Sequence, residues 1–139
     1  GIANNEGAPI FQHVDVGICL RTPAEVIAGS TRMGAGTAQK IALNMLSTLM
    51  AIRLGHVHDG LMVNLVADNE KLRGRARAIV SHIAGVGEEE ADRAIQTSKG
   101  SVKYAVLLAL GAPTLGDAEQ LLSRHLGHLR PAIAELTNY

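Results

Sequence analysis

The sequence has almost no aromatic residues and no excess charge of either sign. Tryptophan is absent and the aromatic side chains are Phe11, Tyr104 and Tyr139, so a core has to be built from Leu, Ile, Val, Ala and Met. The 13 basic and 13 acidic residues give a formal net charge of zero. Proteins that bind nucleic acids use aromatic platforms for the bases and a basic surface for the backbone. We therefore expect no nucleic-acid partner.

Cysteine and long apolar runs are scarce as well. The single cysteine, Cys19, excludes an intrachain disulfide and suits a reducing compartment. It lies in the apolar segment VDVGICL, where we expect a buried packing residue. No stretch reaches the roughly 20 apolar residues of a membrane span, and the first residues lack the pattern of a signal peptide. The sequence therefore predicts a cytoplasmic protein without a membrane partner.

The residues that are present predict an α/β portion followed by helices. The chain has 139 residues, of which 47% are apolar, enough for a domain with a core. Residues 14–20 predict a strand between turn signals. Residues 37–54 are apolar on more than one face, which is typical of a helix buried on several sides, and Gly55 is a natural stop.

From Asn69 onward the sequence indicates only short helices. Asn69 is a candidate N-cap for a helix to about His82, and three glutamates, 88–90, suit the positive end of the next helix. Thr114 and Asp117 have the spacing of a capping box, and Pro131 fits the first turn of a last helix. We expect a boundary after residue 68, with a helical domain over 69–139.

The glycine-rich segment PAEVIAGSTRMGAGTAQK, residues 23–40, is not a nucleotide loop. Gly29 and Gly34 have the spacing of a P-loop, but Ala35 follows where lysine is required. Gly34 also begins a dinucleotide-binding pattern, but Gln39 fills its third glycine position. Both patterns fail at a residue that carries the mechanism, so we exclude ATP and dinucleotide binding.

The same segment has the groups of a looser anion site. Ser30 and Thr31 offer hydroxyls, residues 37–40 lie near a predicted helix N-terminus, and Arg32 and Lys40 add positive charge. The alternative is that the hydroxyls only cap the helix and the glycines only permit a turn. Glu25 has two interpretations too: a ligand-facing residue after a strand, or an ion-pair partner of Arg32.

The histidines do not form a recognisable metal site. His56, His58 and Asp59 lack a third, distant ligand with familiar spacing, so we expect a solvated loop there and no metal. The sequence gives no role to His125 and His128, which lie on either side of Gly127.

Two blocks of the chain resemble a known family. These blocks are similar to N-acetylmuramic acid 6-phosphate etherases and the related glucokinase regulatory proteins, which contain sugar isomerase (SIS) domains. Their sequences are AEVIAGSTRMGAGTAQKIALNMLST and LMVNLVADNEKL. The similarity continues through AGVGEEEADRAIQTSKGSVKYAVLLAL, which resembles the small UBA-like helical domain of these proteins. It covers the whole chain but only the C-terminal half of the family's length. The implied fold is the end of a doubly wound SIS domain, residues 1–68, followed by a UBA-like helical domain, residues 69–139.

The resemblance implies an etherase reaction without metal or other cofactor. The family cleaves the lactyl ether of N-acetylmuramic acid 6-phosphate in cell-wall sugar recycling, by elimination of lactate and addition of water. It implies that the acid/base glutamates lie in the N-terminal half, so no catalytic residue is expected in this chain. A sugar phosphate is the implied ligand and a homodimer the implied assembly. Substrate-binding residues carried over are Glu25, Ser30, Thr31, Arg32 and Lys40.

Two departures from the family leave alternatives open. The family often has lysine where this chain has Gly34, and its Gly-Pro before the glutamate is Pro23-Ala24 here. A non-catalytic sugar-phosphate regulator and a dimerisation module therefore remain beside the lyase. We expect that the 139-residue chain alone has no etherase activity.

Overall fold

The computed structural model describes residues 1–137, which divide into two compact units. The first unit is Gly1–Met50, and the second begins at Ala51. Most of the described chain is helical, which is compatible with the α/β class expected from the sequence. Within these residues, no helix has the length and apolarity required to cross a membrane.

The first unit contains a two-stranded parallel sheet and most of a long helix. Strand β1 (Ile2–Ala3) pairs with β2 (Ile18–Cys19), with Ile2 opposite Ile18, and a short 3-10 helix, Pro9–Gln12, lies between them. The loop after β2 leads to α1 (Gly34–Arg53), which starts three residues before the segment predicted. The strand predicted over 14–20 is reduced to its two-residue end.

Two burial predictions for this unit are wrong. Cys19 is exposed, and no residue of α1 is buried even though its side chains are apolar on several faces. Large apolar side chains such as Ile41, Leu46 and Leu49 are each more than half exposed, at 54%, 53% and 57%. The prediction required a packed layer over the sheet and around the helix, and the first unit contains no such layer.

After the last residues of α1, the second unit has a hairpin and, up to residue 137, five further helices. Strands β3 (Val57–His58) and β4 (Leu61–Met62) are antiparallel, with Val57 opposite Met62. The turn residues Asp59 and Gly60 both have positive φ, 47° and 78°, as an Asp-Gly hairpin turn of the mirror-image type requires. The helices are α2 (Glu70–Ala84), α3 (Glu88–Thr97), α4 (Val102–Ala109), α5 (Leu115–Arg124) and α6 (Leu129–Thr137).

Capping residues define these helix ends as the sequence predicted. The Asn69 side chain accepts a hydrogen bond from the Leu72 N–H at 2.9 Å, which confirms it as the N-cap of α2. Thr114 accepts from the Asp117 N–H at 3.1 Å and donates to the Asp117 carboxylate at 2.6 Å, so the predicted capping pair forms. Gly85 ends α2 in the left-handed conformation, with φ 68°. Pro131 lies in the first turn of α6.

The core is centred on α4. Val102, Val106 and Leu107 have no exposed surface, and α4 packs against α2, α3, α5 and α6. Val63, from the segment after β4, is 1% exposed and joins the same core. The boundary after residue 68 stays a prediction, and the last two residues of the predicted 69–139 domain lie outside the described residues.

Candidate functional site

The carboxyl end of β1 borders a polar cavity in the first unit. It encloses about 830 Å³, and the loop after β2 and the first turns of α1 complete its walls. Parallel strands bring their carboxyl ends to one edge of a sheet, where α/β proteins bind ligands. The polar residues of the lining are Asn4, Asn5, Thr22, Glu25, Ser30, Thr31 and Gln39.

Glu25 caps α1 across the floor of this cavity. Its Oε1 accepts hydrogen bonds from the backbone N–H groups of Gly34, at 2.9 Å, and Ala35, at 3.2 Å. The next N–H, of Gly36, donates to the carbonyl of Thr31 at 2.7 Å. These three N–H groups are among those that a helix start leaves without a helical partner. A ligand in the cavity therefore finds these three donors already used.

The structure separates the predicted binding residues into two groups. Glu25, Ser30 and Thr31 line the cavity, with Glu25 and Ser30 half-buried. Arg32 and Lys40 are exposed and are not part of the lining. The contacts found for Glu25 are the two helix N–H groups, not the Arg32 guanidinium considered from the sequence.

Two residues of the cavity were missed from the sequence. The Asn4 side chain donates to the carbonyl of Leu20 at 3.0 Å, joining the ends of β1 and β2. Gln39 donates to Asn4 Oδ1 at 2.6 Å and so ties α1 to the same strand end. No spacing rule connects Asn4 with Gln39. Because no strand was predicted before Asn4, no pattern indicated its place at a strand end.

Gly34 allows the close approach of Glu25. A Cβ built at position 34 would lie 3.3 Å from Glu25 Oε1, closer than an ordinary van der Waals contact. The larger residue that the family often has here would require the carboxylate to shift by a few tenths of an ångström. The departure at Gly34 thus changes the packing of Glu25 as well as the local charge.

The cavity can bind polar groups but lacks an acid/base pair. Glu25 is the one ionisable side chain in the described lining. Hydroxyls and amides bind the oxygens of a sugar or a phosphate, whereas elimination requires one group to remove a proton and one to protonate the leaving oxygen. The part of the chain covered by the structure also has no group of three His, Cys, Asp or Glu residues arranged to hold a metal ion.

The chain is similar to curated proteins over nearly its whole length. It is 45% identical over 134 residues to an N-acetylmuramic acid 6-phosphate etherase of Streptomyces avermitilis, covering 96% of the chain and 43% of that protein. An etherase of the same name from Deinococcus radiodurans is 46% identical over 138 residues, 97% of the chain and 44% of that protein. The chain thus spans less than half the length of these relatives. No family model matches it.

Proposed function

The chain is a homologue of the N-acetylmuramic acid 6-phosphate etherases, and we propose that it forms the C-terminal part of such a lyase. The full-length protein converts N-acetylmuramic acid 6-phosphate and water into N-acetylglucosamine 6-phosphate and D-lactate. The observation that carries the proposal is the 45% identity over 96% of the chain. A polar cavity beside the end of β1 and the loop after β2, the edge where α/β proteins bind ligands, supports it.

The reaction is an elimination followed by addition of water. A base removes the proton next to the open-chain carbonyl, D-lactate leaves from the neighbouring carbon, and water adds to that carbon. Both proton transfers require groups with suitable pKa values. Glu25 already accepts two hydrogen bonds from α1. We therefore assign the acid/base chemistry to residues outside this chain and substrate binding to the residues within it.

Within the cavity, Ser30 and Thr31 donate hydrogen bonds to oxygens of the sugar phosphate. Glu25 binds indirectly, since it fixes the start of α1 and the turn that carries both hydroxyls. Arg32 and Lys40 are exposed and supply positive charge that attracts the phosphate from outside the cavity.

The exposed apolar surface of the first unit supports a longer protein. A parallel sheet of two short strands is not stable by itself, and α1 buries no residue. We propose that β1, β2 and α1 end a doubly wound SIS domain, and that the helices after residue 68 form a UBA-like domain.

We also propose a cytoplasmic homodimer in which α1 contributes to the subunit contact.

The test is release of D-lactate from N-acetylmuramic acid 6-phosphate by the purified full-length protein that contains these residues. We expect turnover without added metal, and none from the 139-residue chain alone. Binding of the sugar phosphate without D-lactate release by the full-length protein contradicts the lyase and favours a regulator. Release of D-lactate by the 139-residue chain would contradict the assignment of the acid/base groups to residues outside this chain.

A matched pair of serine variants tests the cavity. Ser30 lines it, whereas Ser123 is exposed on α5 and lies outside the lining. We expect Ser30→Ala to raise KM roughly tenfold, the effect of about one lost hydrogen bond to a charged oxygen. Ser123→Ala should leave KM and kcat unchanged. Equal effects of the two substitutions would remove the cavity from the proposal.

A further inference from the structure

A second groove lies within the second unit, independent of the polar cavity described above. It encloses about 590 Å³ between the last residues of α1, the β3–β4 hairpin and the first residues of α6. Ile52, Val57, Leu129 and Pro131 give it an apolar lining. Its polar side chains are Arg53, His58, Asp59, His128 and Arg130.

His58 is the most enclosed polar side chain of this groove. Its side chain is only 10% exposed, which corrects the expectation of a solvated loop at this position. Its nearest charged contact is Asp59 Oδ2, 3.5 Å from Nε2, and no hydrogen bond to another described residue is formed by the ring. The ring lines the groove and makes no hydrogen bond to another described residue, so a bound molecule can supply a partner for an imidazole nitrogen.

The charges around His58 favour an anion as that partner. Asp59 is already neutralised, since its carboxylate accepts a hydrogen bond from the Arg130 guanidinium. Burial lowers the pKa of His58; Asp59 raises it in part, and Arg130 lowers it further. The lowered pKa favours the neutral ring, which has one N–H to donate.

Two further positive features lie at the rim. Arg53 is exposed and forms no ion pair with a carboxylate of residues 1–137. The first residues of α6 line the groove, so the positive end of the α6 dipole lies beside it. A metal is a poor occupant by comparison, because the described residues contain no suitable set of three ligands.

The two walls of the groove are held in fixed positions. The Asp59–Gly60 turn sets the register of the hairpin that carries His58. At its base, Gly55 lies against the backbone of Gly127, where a Cβ at position 55 would be 2.7 Å from the Gly127 carbonyl oxygen. A site whose walls are already in place loses less free energy in ordering on binding.

We propose that this groove binds the phosphate or carboxylate group of a small molecule through Arg53, His58 and His128. Arg53 supplies the charge, the two imidazoles donate hydrogen bonds, and the apolar lining accepts the remainder of the molecule. The side chains of Asp59 and Arg130 act as a neutral pair beside the anion. This assignment does not depend on the etherase reaction.

The test is titration of the full chain with inorganic phosphate and, separately, with acetate, observed by nuclear magnetic resonance. We expect saturable shifts of the His58 and His128 ring signals at millimolar concentrations. Stronger binding of phosphate identifies a phosphorylated ligand, and stronger binding of acetate a carboxylate. Absence of shifts at these two rings with both anions overturns the proposal.

Variants separate this groove from other anion sites. Arg53→Ala should weaken binding tenfold or more, since charge-assisted hydrogen bonds are roughly twice as strong as neutral ones. Arg93 is also exposed but lies on α3 outside the groove, and Arg93→Ala should leave binding unchanged. Equal weakening by both substitutions means general electrostatic attraction and overturns the site. Loss of the His58 shifts in Ser30→Ala would assign the anion to the polar cavity instead.

His58→Gln keeps a donor of similar size in the groove and provides a second variant. It should reduce affinity less than Arg53→Ala while thermal unfolding in the absence of phosphate stays close to that of the parent. Unchanged phosphate affinity in both Arg53→Ala and His58→Gln contradicts the proposed contacts.

Discussion

We expect Gly55→Ala to destabilise the second unit by roughly 2–5 kcal/mol, the sum of a backbone and a packing contribution. Gly55 has φ 67°, a conformation that costs an L-residue about 1–2 kcal/mol. The new Cβ would also lie 2.7 Å from the Gly127 oxygen and 3.1 Å from its carbonyl carbon. These are backbone atoms that cannot rotate away, and overpacking of this kind typically costs about 1–3 kcal/mol.

Gly85→Ala is the matched control for this substitution. Gly85 has nearly the same φ, 68°, but nothing lies within 4 Å of the position its Cβ would occupy. Gly85→Ala should therefore destabilise the second unit by the backbone contribution alone, about 1–2 kcal/mol. The measurement is unfolding by heat or urea followed by far-ultraviolet circular dichroism. The packing contribution alone should lower Tm by at least about 4 °C relative to Gly85→Ala.

The same clash affects a buried lysine. Lys103 is 8% exposed, burial lowers its pKa, and its ammonium donates to the Gly127 carbonyl at 2.8 Å. Displacement of that carbonyl leaves the ammonium without this acceptor, so the losses in Gly55→Ala and Lys103→Met should be less than additive in the double variant. Equal stabilities of Gly55→Ala and Gly85→Ala, or full additivity with Lys103→Met, would refute the reasoning.

Three further predictions concern single interactions. Glu25→Ala should reduce the stability of α1 by about 0.5–2 kcal/mol, as the loss of a helix cap does. Glu25→Gln should reduce it by less, because an acceptor oxygen remains. Equal helicity of both variants and the parent contradicts this prediction. Arg124 and His125 hold the pKa of Glu135 below its usual value. This carboxylate therefore stabilises the fold at pH values above the usual carboxyl pKa, and the stabilisation is lost as the pH falls through the lowered pKa. Urea midpoints should therefore separate Glu135→Gln from the parent at neutral pH and converge in acid, whereas a constant difference is the contrary result. Amides of α1 should exchange with deuterium faster than those of α4, because α1 has no buried residue; similar protection of the two helices contradicts this.

Helix ends in the second unit could be predicted because their causes are local. Asn69 and the N–H it accepts from are three residues apart, as are Thr114 and Asp117. Gly85 ends α2 by its own backbone conformation. Such interactions form wherever the residue types and spacing occur, so the sequence pattern is sufficient evidence for them.

The site residues were harder to predict because their partners are distant. Glu25 bonds to N–H groups nine and ten residues ahead, and Gln39 bonds to Asn4 across 35 residues. Burial of His58 depends on its place in the hairpin and on packing around the groove that α6 helps to form. No spacing rule describes such contacts, since they exist only after the chain has folded.

The error at α1 has a different cause and leads to a physical requirement. The pattern of residues 37–54 correctly indicated an apolar helix, but every buried hydrophobic residue in the described chain belongs to the second unit. That unit builds its core from α2 to α6 and Val63, so it does not depend on α1 for its packing. Apolar residues on several faces of α1 lower the free energy only where other surfaces cover them. On the lyase proposal, the covering surface belongs to the part of the relatives that this chain does not span. Completing the SIS domain should then slow deuterium exchange in α1 while leaving α4 unchanged.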